Sequence, residues 1–180
     1  MKRTIAGSLV ALLLAAACGG GPGGGPPAKL TDGKLVIAVI NDQSGVYADL
    51  SGKNAVEAVN MAVEDFKAKY GENALGGKVE VLTADHQNKA DVAQQKAQEF
   101  YERSNADLIL DVPTSSAALA IADVAKAQQK LYINVTAATT VLTGKSCNKY
   151  TFHYAYDTYM LAQGTGITVT QQGGKSWYII

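Results

Sequence analysis

From Leu35 onward, short apolar runs alternate with longer stretches whose apolar residues recur every three or four positions, and this alternation constrains the fold more than any other feature. Leu35-Val36-Ile37-Ala38-Val39-Ile40 ends at the turn-prone Asn41-Asp42-Gln43-Ser44-Gly45 and predicts a fully buried strand. Residues 51–70 then place Val56, Val59, Val63, Phe66 and Tyr70 at helical spacing, with Lys53, Glu57, Asp65, Lys67 and Lys69 elsewhere on the wheel. The unit repeats as a strand at Lys78–Thr83 and a helix at Asp91–Arg103 with Ala93, Ala97 and Phe100 on one face. A strand at Asp107–Val112, a helix at Ser116–Gln128 and a strand at Leu131–Val135 follow. Such alternation implies an α/β fold with right-handed crossovers and a parallel sheet covered on both faces.

Beyond Val135 the rhythm loosens. A fifth strand is expected at Tyr150–Tyr154 and a helix at Tyr159–Gln172, the latter weakened by Gly164 and Gly166. Trp177-Tyr178-Ile179-Ile180 reads as the start of another buried strand. A strand with no helix or loop after it is a poor end for this architecture, so the expectation is a fragment.

The amino-terminal segment is of another kind. Lys2 and Arg3 precede an apolar run from Leu9 to Ala17, which reads as an export signal over residues 1–17, too short to span a bilayer. Cys18 followed by Gly19 resembles the lipobox of bacterial lipoproteins, with Ala15 where a leucine is usual, and Cys18 would carry the lipid. The rival is an ordinary Ala15-x-Ala17 cleavage site that releases a soluble protein. Gly19 to Pro27 is glycine and proline throughout, so residues 18–33 read as a tether between anchor and domain. Sixteen Lys plus Arg against sixteen Asp plus Glu leave no net charge to draw the chain to nucleic acid. Loss of Lys2 and Arg3 with the signal makes the mature chain slightly acidic.

In parallel sheets ligands gather at the carboxyl ends of the strands, so the loops 41–49, 84–88, 112–116 and 136–140 are the places to search. Pro113-Thr114-Ser115-Ser116 opens a helix and offers unpaired backbone N–H groups beside hydroxyls, a receptor for a carboxylate. Plain N-capping by Ser115 or Ser116 is the alternative. Catalytic motifs fail. Gly144-Lys145-Ser146 lacks the earlier glycine of a phosphate loop, where Thr139 stands, and Gly174-Lys175-Ser176 fails likewise at Val169. No G-x-S-x-G surrounds Ser115, and no His, Cys and carboxylate spacing points to a metal. His86, in the second loop, joins the candidate site as a residue that positions a loop. Cys147 is open between a bridge to a cysteine beyond residue 180 and a buried thiol, and Asn134-Val135-Thr136 is a glycosylation sequon running through a strand end.

The loops together carry a resemblance. Asp42-Gln43-Ser44-Gly45-Val46-Tyr47-Ala48-Asp49, Ala84-Asp85-His86-Gln87-Asn88, Val112-Pro113-Thr114-Ser115-Ser116 and Thr136-Ala137-Ala138-Thr139, in that order behind an export signal, resemble the leucine/isoleucine/valine-binding family over residues 34–180. These are type I periplasmic substrate-binding proteins of ABC importers. The resemblance implies an N-terminal lobe at 34–154 and a crossover with an incomplete second lobe at 155–180. It implies a ligand carboxylate held by Thr114, Ser115 and Thr139, a ligand ammonium on the Ala137 carbonyl, and Tyr47 walling the cleft. It also implies a small-molecule solute, ABC permease partners in the membrane, a periplasmic or cell-surface monomer and no cofactor. Two departures widen the ligand class. No cysteines stand at Gln87 and at Pro113 or Thr114, where the leucine-binding type has a disulfide, and Tyr154-Ala155-Tyr156-Asp157-Thr158-Tyr159-Met160-Leu161 is similar to a branch associated with aromatic acids. A branched-chain-type amino acid and an aromatic acid therefore both stay open. The rival functions are the ectodomain of a signalling receptor and an exported α/β enzyme, the latter needing a nucleophile and base that the sequence does not offer.

Overall fold

The computed structural model describes residues 32–178. The expected signal, Cys18, nearly all of the tether, and Ile179 and Ile180 lie outside the described residues. Strands β1 (Lys34–Asn41), β2 (Lys78–Asp85), β3 (Leu108–Leu110), β4 (Leu131–Asn134) and β5 (Thr151–His153) form one sheet in the order β2-β1-β3-β4-β5. Every pairing is parallel, with Ile37 opposite Val81 on one side and Leu108 on the other. Helices α1 (Gly52–Tyr70), α2 (Ala90–Glu102) and α3 (Ser115–Gln128) connect the first four strands, and the α/β expectation holds within a residue or three at each element end.

Strand order and crossover handedness together decide which face each helix covers. The chain steps from β1 to β2 in one direction and from β2 through β3 to β4 in the other, so right-handed crossovers put α1 on one face and α2 and α3 on the opposite one. On the α2/α3 side the core is closed. Val36, Ala38 and Ile40 of β1 are fully buried there with Ile109 and Tyr132, against Ala93, Ala97 and Phe100 of α2 and Ala118, Ile121 and Ala125 of α3. The alanines let the two helices approach each other closely, and Tyr101 Oη ties α2 to the Leu131 carbonyl at 2.8 Å.

The α1 side differs from the expectation of a sheet covered on both faces. Only Gly52 of α1 is buried. Val59, Val63 and Phe66 instead line an open apolar groove of about 480 Å³ whose floor includes Ile37, Leu110 and Val135. The reason is the topology: among the described residues α1 is the single crossover on this face, since every later step runs the other way across the sheet and places its connection on the opposite face. The other end of the expected stripe, Tyr70, is 55% exposed and rests on Phe66 at 5.0 Å between ring centroids.

The last expected helix forms over residues 158–171 but is not uniform. An α turn, α4 (Thr158–Leu161), passes into a π-helical segment (Ala162–Ile167) and back into α5 (Thr168–Gln171). Asp157 caps its start through Met160 N at 2.8 Å, and the widened segment holds both Gly164 and Gly166, where helix propensity is lowest. None of its residues is buried. Trp177 and Tyr178 are exposed and not in a strand, which departs from the expected strand start. Among the described residues no helix is long and apolar enough to cross a membrane.

The two faces predict different responses to the same change. Val36→Ala removes two fully buried methyl groups and should cost roughly 2–3 kcal/mol in denaturant unfolding. Val63→Ala, in the open groove, should cost less than about 1 kcal/mol.

Candidate functional site

β1 has β2 on one side and β3 on the other, so the connections leaving β1 and β3 diverge and open a crevice between their carboxyl ends. Four loops meet there: 42–51 after β1, 86–89 after β2, 111–114 after β3 and 135–140 after β4.

The first loop is held by two carboxylates. Asp42 is fully buried and accepts Gly45 N at 2.7 Å and Tyr47 N at 3.0 Å. A side chain at residue 45 would sit 2.6 Å from both Asp42 carboxylate oxygens, so the turn requires glycine. Asp85 reaches across from β2: one oxygen accepts Gln43 N at 3.0 Å and Gln87 N at 2.8 Å, the other the Ser44 hydroxyl at 2.6 Å. Burial opposes its ionisation, but the Ser44 hydroxyl and the Gln43 and Gln87 N–H groups, with a smaller effect of His86, hold the carboxyl below the usual carboxylate range. The loop so pinned presents Tyr47, 36% exposed, at the rim.

Thr114, not Ser115 or Ser116, is the N-cap residue of α3, and it makes no cap with its side chain. Its hydroxyl donates instead to Asn88 Oδ1 at 2.6 Å, joining the third loop to the second. The first intrahelical bond is Ala118 N to the Thr114 carbonyl at 2.8 Å, so the N–H groups of the opening turn remain for a ligand. Ser115 is half-buried beside them. On the neighbouring loop Thr139 is also half-buried, and its oxygen accepts Val141 N at 3.2 Å while keeping its own hydrogen to donate.

Two of the expected site residues are fully buried. Ala137 is fully buried, and its carbonyl already receives His153 Nε2 at 2.6 Å, so only its second lone pair is left for an ammonium. His86 is also fully buried, with neither ring nitrogen bonded, and belongs to the floor beneath the loops instead of to their surface. Burial lowers its pKa, an effect partly offset by Asp42, by a backbone bond, and by Asp85 and Asp111. Cys147 is exposed and unbridged among the described residues, which sets aside a buried thiol. Asn134 is fully buried, so the sequon offers no accessible acceptor.

Beneath the loops lies a layer of buried polar residues that the sequence does not announce. Asn41, Asp42, Asp111 and Asn134 all stand where a strand gives way to its loop, and all are buried. Asp111 accepts Asn41 Nδ2 at 3.1 Å and the Thr136 hydroxyl. The available signal was positional: Asn41, Asp111 and Asn134 directly follow apolar runs and Asp42 comes next, and reading Asn41 and Asp42 as turn formers and the other two as strand residues misses that these side chains are buried.

Residues 34–180 match a family model described as periplasmic binding protein. None of the curated proteins matches the chain. A solved periplasmic binding protein from Burkholderia mallei is similar at 46% identity and TM-score 0.74, over 81% of this chain and 38% of its own. A branched chain amino acid ABC transporter periplasmic ligand-binding protein from Burkholderia xenovorans is similar at 36% identity and TM-score 0.70, over 79% of this chain and 37% of its own. An ABC-type branched-chain amino acid transporter from Rhodopseudomonas palustris is similar at 31% identity and TM-score 0.61, over 68% of this chain and 33% of its own. The chain thus spans under two fifths of the length of these relatives.

The pinning of the first loop has a pH signature. The Asp85 pKa is lower in the folded protein than in the unfolded chain, so its ionised form stabilises the fold above the ordinary carboxylate pKa, and this contribution vanishes as pH falls through the lowered value. Asp85→Asn should therefore lower the melting temperature at pH 7, and the gap to the parent should close on acidification below about pH 4. A gap that stays constant with pH would contradict the assignment.

Proposed function

The chain belongs to the periplasmic binding protein family, and from that premise we propose that it is the ligand-binding part of an extracytoplasmic solute-binding protein of an ABC importer. It takes a small carboxylate-bearing solute, an amino acid of the branched-chain type or an aromatic acid, into a cleft between two lobes. In this reading residues 34–154 are the N-terminal lobe and 155–180 the crossover and start of the second. Residues 1–17 direct export, Cys18 carries the lipid anchor, residues 18–33 are the tether, and the protein works as a monomer with membrane permease subunits.

The observation that carries the reading is the uncapped start of α3 at the β1/β3 switch point. A carboxylate there meets the N–H groups of the first turn, the positive end of the helix dipole and the Ser115 hydroxyl, with the Thr139 hydroxyl on the facing loop. Thr114 serves through its backbone, since its hydroxyl is committed to Asn88. Tyr47 supplies apolar wall at the rim. The imidazoles support binding without catalysis, because His86 is buried and His153 is engaged by Ala137.

Charge favours an amino acid over an aromatic acid. Asp42, Asp85 and Asp111 lie in the layer of strand ends, and none forms an ion pair among the described residues. Lys89, the cation of the second loop, turns to Gln87 Oε1 at 3.3 Å. A zwitterion brings its own cation to this acidic layer, and a monoanion does not. The Burkholderia xenovorans relative, described as a branched chain amino acid ligand-binding protein, supports the same choice.

The test uses the full-length protein. L-Leucine should raise its melting temperature more than 4-hydroxybenzoate does, and the reverse order would move the ligand to the aromatic class. Ser115→Ala combined with Thr139→Ala removes two charge-assisted hydrogen bonds of about 1.5 kcal/mol each and should weaken binding on the order of 100-fold by calorimetry. Unchanged affinity would sink the site assignment.

A further inference from the structure

We propose that Asn134 is a positioning residue for ligand binding: buried out of reach of the solute, it holds the backbone turn at Asp111 and Val112 that aims Thr114, Ser115 and the start of α3 into the cleft. The proposal rests on the reading of the α3 start as the carboxylate site.

The turn is unusual for the residues that make it. Asp111 has φ +78° and Val112 φ +77°, two successive non-glycine residues in the left-handed region. That region is costly for any residue with a Cβ, and most of all for a β-branched one such as valine. Local preference therefore opposes this conformation, and something outside the turn must maintain it. Asp111 N still pairs with the Ile133 carbonyl at 3.2 Å, so the chain leaves the sheet at this point. Three residues later α3 begins.

Asn134, at the end of the adjacent strand β4, meets the turn directly. Its Nδ2 lies 3.0 Å from the Asp111 carbonyl and 2.9 Å from the Val112 carbonyl, and 2.8 Å from Tyr132 Oη. Two successive carbonyls thus converge on one amide nitrogen, which the left-handed pair makes possible. Asn134 is fully buried, as are Val112 and Tyr132, so without the amide the Val112 carbonyl would lose its partner in a dry interior and the Asp111 carbonyl would keep only the Tyr132 hydroxyl at 3.5 Å. The orientation of the side chain follows from the same contacts: the opposite flip would set Oδ1 against two carbonyl oxygens. Its Oδ1 has no partner, so the donor end is the one the fold uses. The Asp111 carboxylate steadies the same turn from the other side through Asn41 and Thr136. Aspartate at 134 would supply no donor, and alanine would reach neither carbonyl.

The experiment compares Asn134→Ala with the parent in the full-length protein. Calorimetry is run with L-leucine and with 4-hydroxybenzoate, and amide hydrogen exchange is followed in the ligand-free state. The expected result is a loss of affinity of about tenfold or more, the equivalent of one misplaced charge-assisted hydrogen bond. Faster exchange should be confined to residues 111–117, with β1 and the middle of α3 unchanged. Normal affinity overturns the proposal. So does a loss of affinity in which β1 exchanges faster by the same factor as 111–117, because that is general loosening. If Asn134→Ala does not fold, Asn134→Ser, which retains a shorter donor, is read in the same way with a smaller expected loss. The Ser115→Ala/Thr139→Ala variant separates the two levels of failure. If it binds normally, the site assignment falls and the positioning role with it; if it loses binding while Asn134→Ala does not, only the positioning role falls.

Discussion

A parallel strand crossover turns one way, and in this chain that handedness decides where every later element can lie. With β2 on one side of β1 and β3, β4 and β5 on the other, α1 must cover one face and α2 and α3 the opposite face. All three helices then start at the same rim, where the strands end. The crevice between β1 and β3 is consequently flanked by a helix beginning on each side of the sheet, Gly52 on one and Ser115 on the other. The same rule leaves part of the α1 face open, because no later connection among the described residues returns to it.

The rim carries an electrostatic arrangement that would be unfavourable in most interiors. None of α1, α2 and α3 is capped by the side chain of its N-cap residue, Ser51, Lys89 or Thr114. Three positive helix ends therefore meet a layer containing Asp42, Asp85 and Asp111. Among the described residues the carboxylates are not ion-paired; they are held by backbone N–H groups, by hydroxyls and by the Asn41 amide. Such bonds fix direction as well as charge, so each acid shapes a loop. Asp42 and Asp85 shape the first loop, and Asp111 ties the ends of β1 and β3 to the loop after β4.

Where a residue type has a single physical use, its place in this fold was legible in the sequence. Leu35–Ile40 could only be a strand, although its Leu35 and Ile37 side turned out to be half-buried over the open groove, and the alanines of α2 and α3 marked faces that pack closely. The loops that form the crevice followed from the βαβ rhythm. What stayed hidden depends on partners distant in sequence. Val56, Val59, Val63 and Phe66 make a sound helical stripe, yet whether anything covers it is a property of topology. Nothing about valine at 112 announces a left-handed backbone, because the compensation comes from Asn134 on another strand. The Thr114 hydroxyl was expected at the ligand, and only the fold reveals Asn88 as its partner. His153 on the Ala137 carbonyl and His86 in the floor are the same kind of surprise: a histidine in sequence carries no mark of which way it faces.

In the proposed two-lobe reading, these features bear on how one wall of the cleft would act. The donors assigned to the carboxylate sit on a helix start and a strand-end loop whose backbone is fixed by Asn134 and by the Thr139 turn, and the first loop is fixed by Asp42 and Asp85. Little conformational entropy remains to be lost on this side when a solute arrives. Neutral donors and helix ends, unlike an arginine, hold a carboxylate without neutralising it. The affinity supplied by this wall alone is therefore modest, and the acidic layer beneath it limits an unaccompanied anion further. In that reading the remainder would come from a second wall that meets the rest of the solute. Contacts made only when both walls touch the ligand are the ones that favour a closed state over an open one. A rigid first wall with weak intrinsic affinity is what such a division needs: it sets the ligand's orientation, and closure supplies the selectivity.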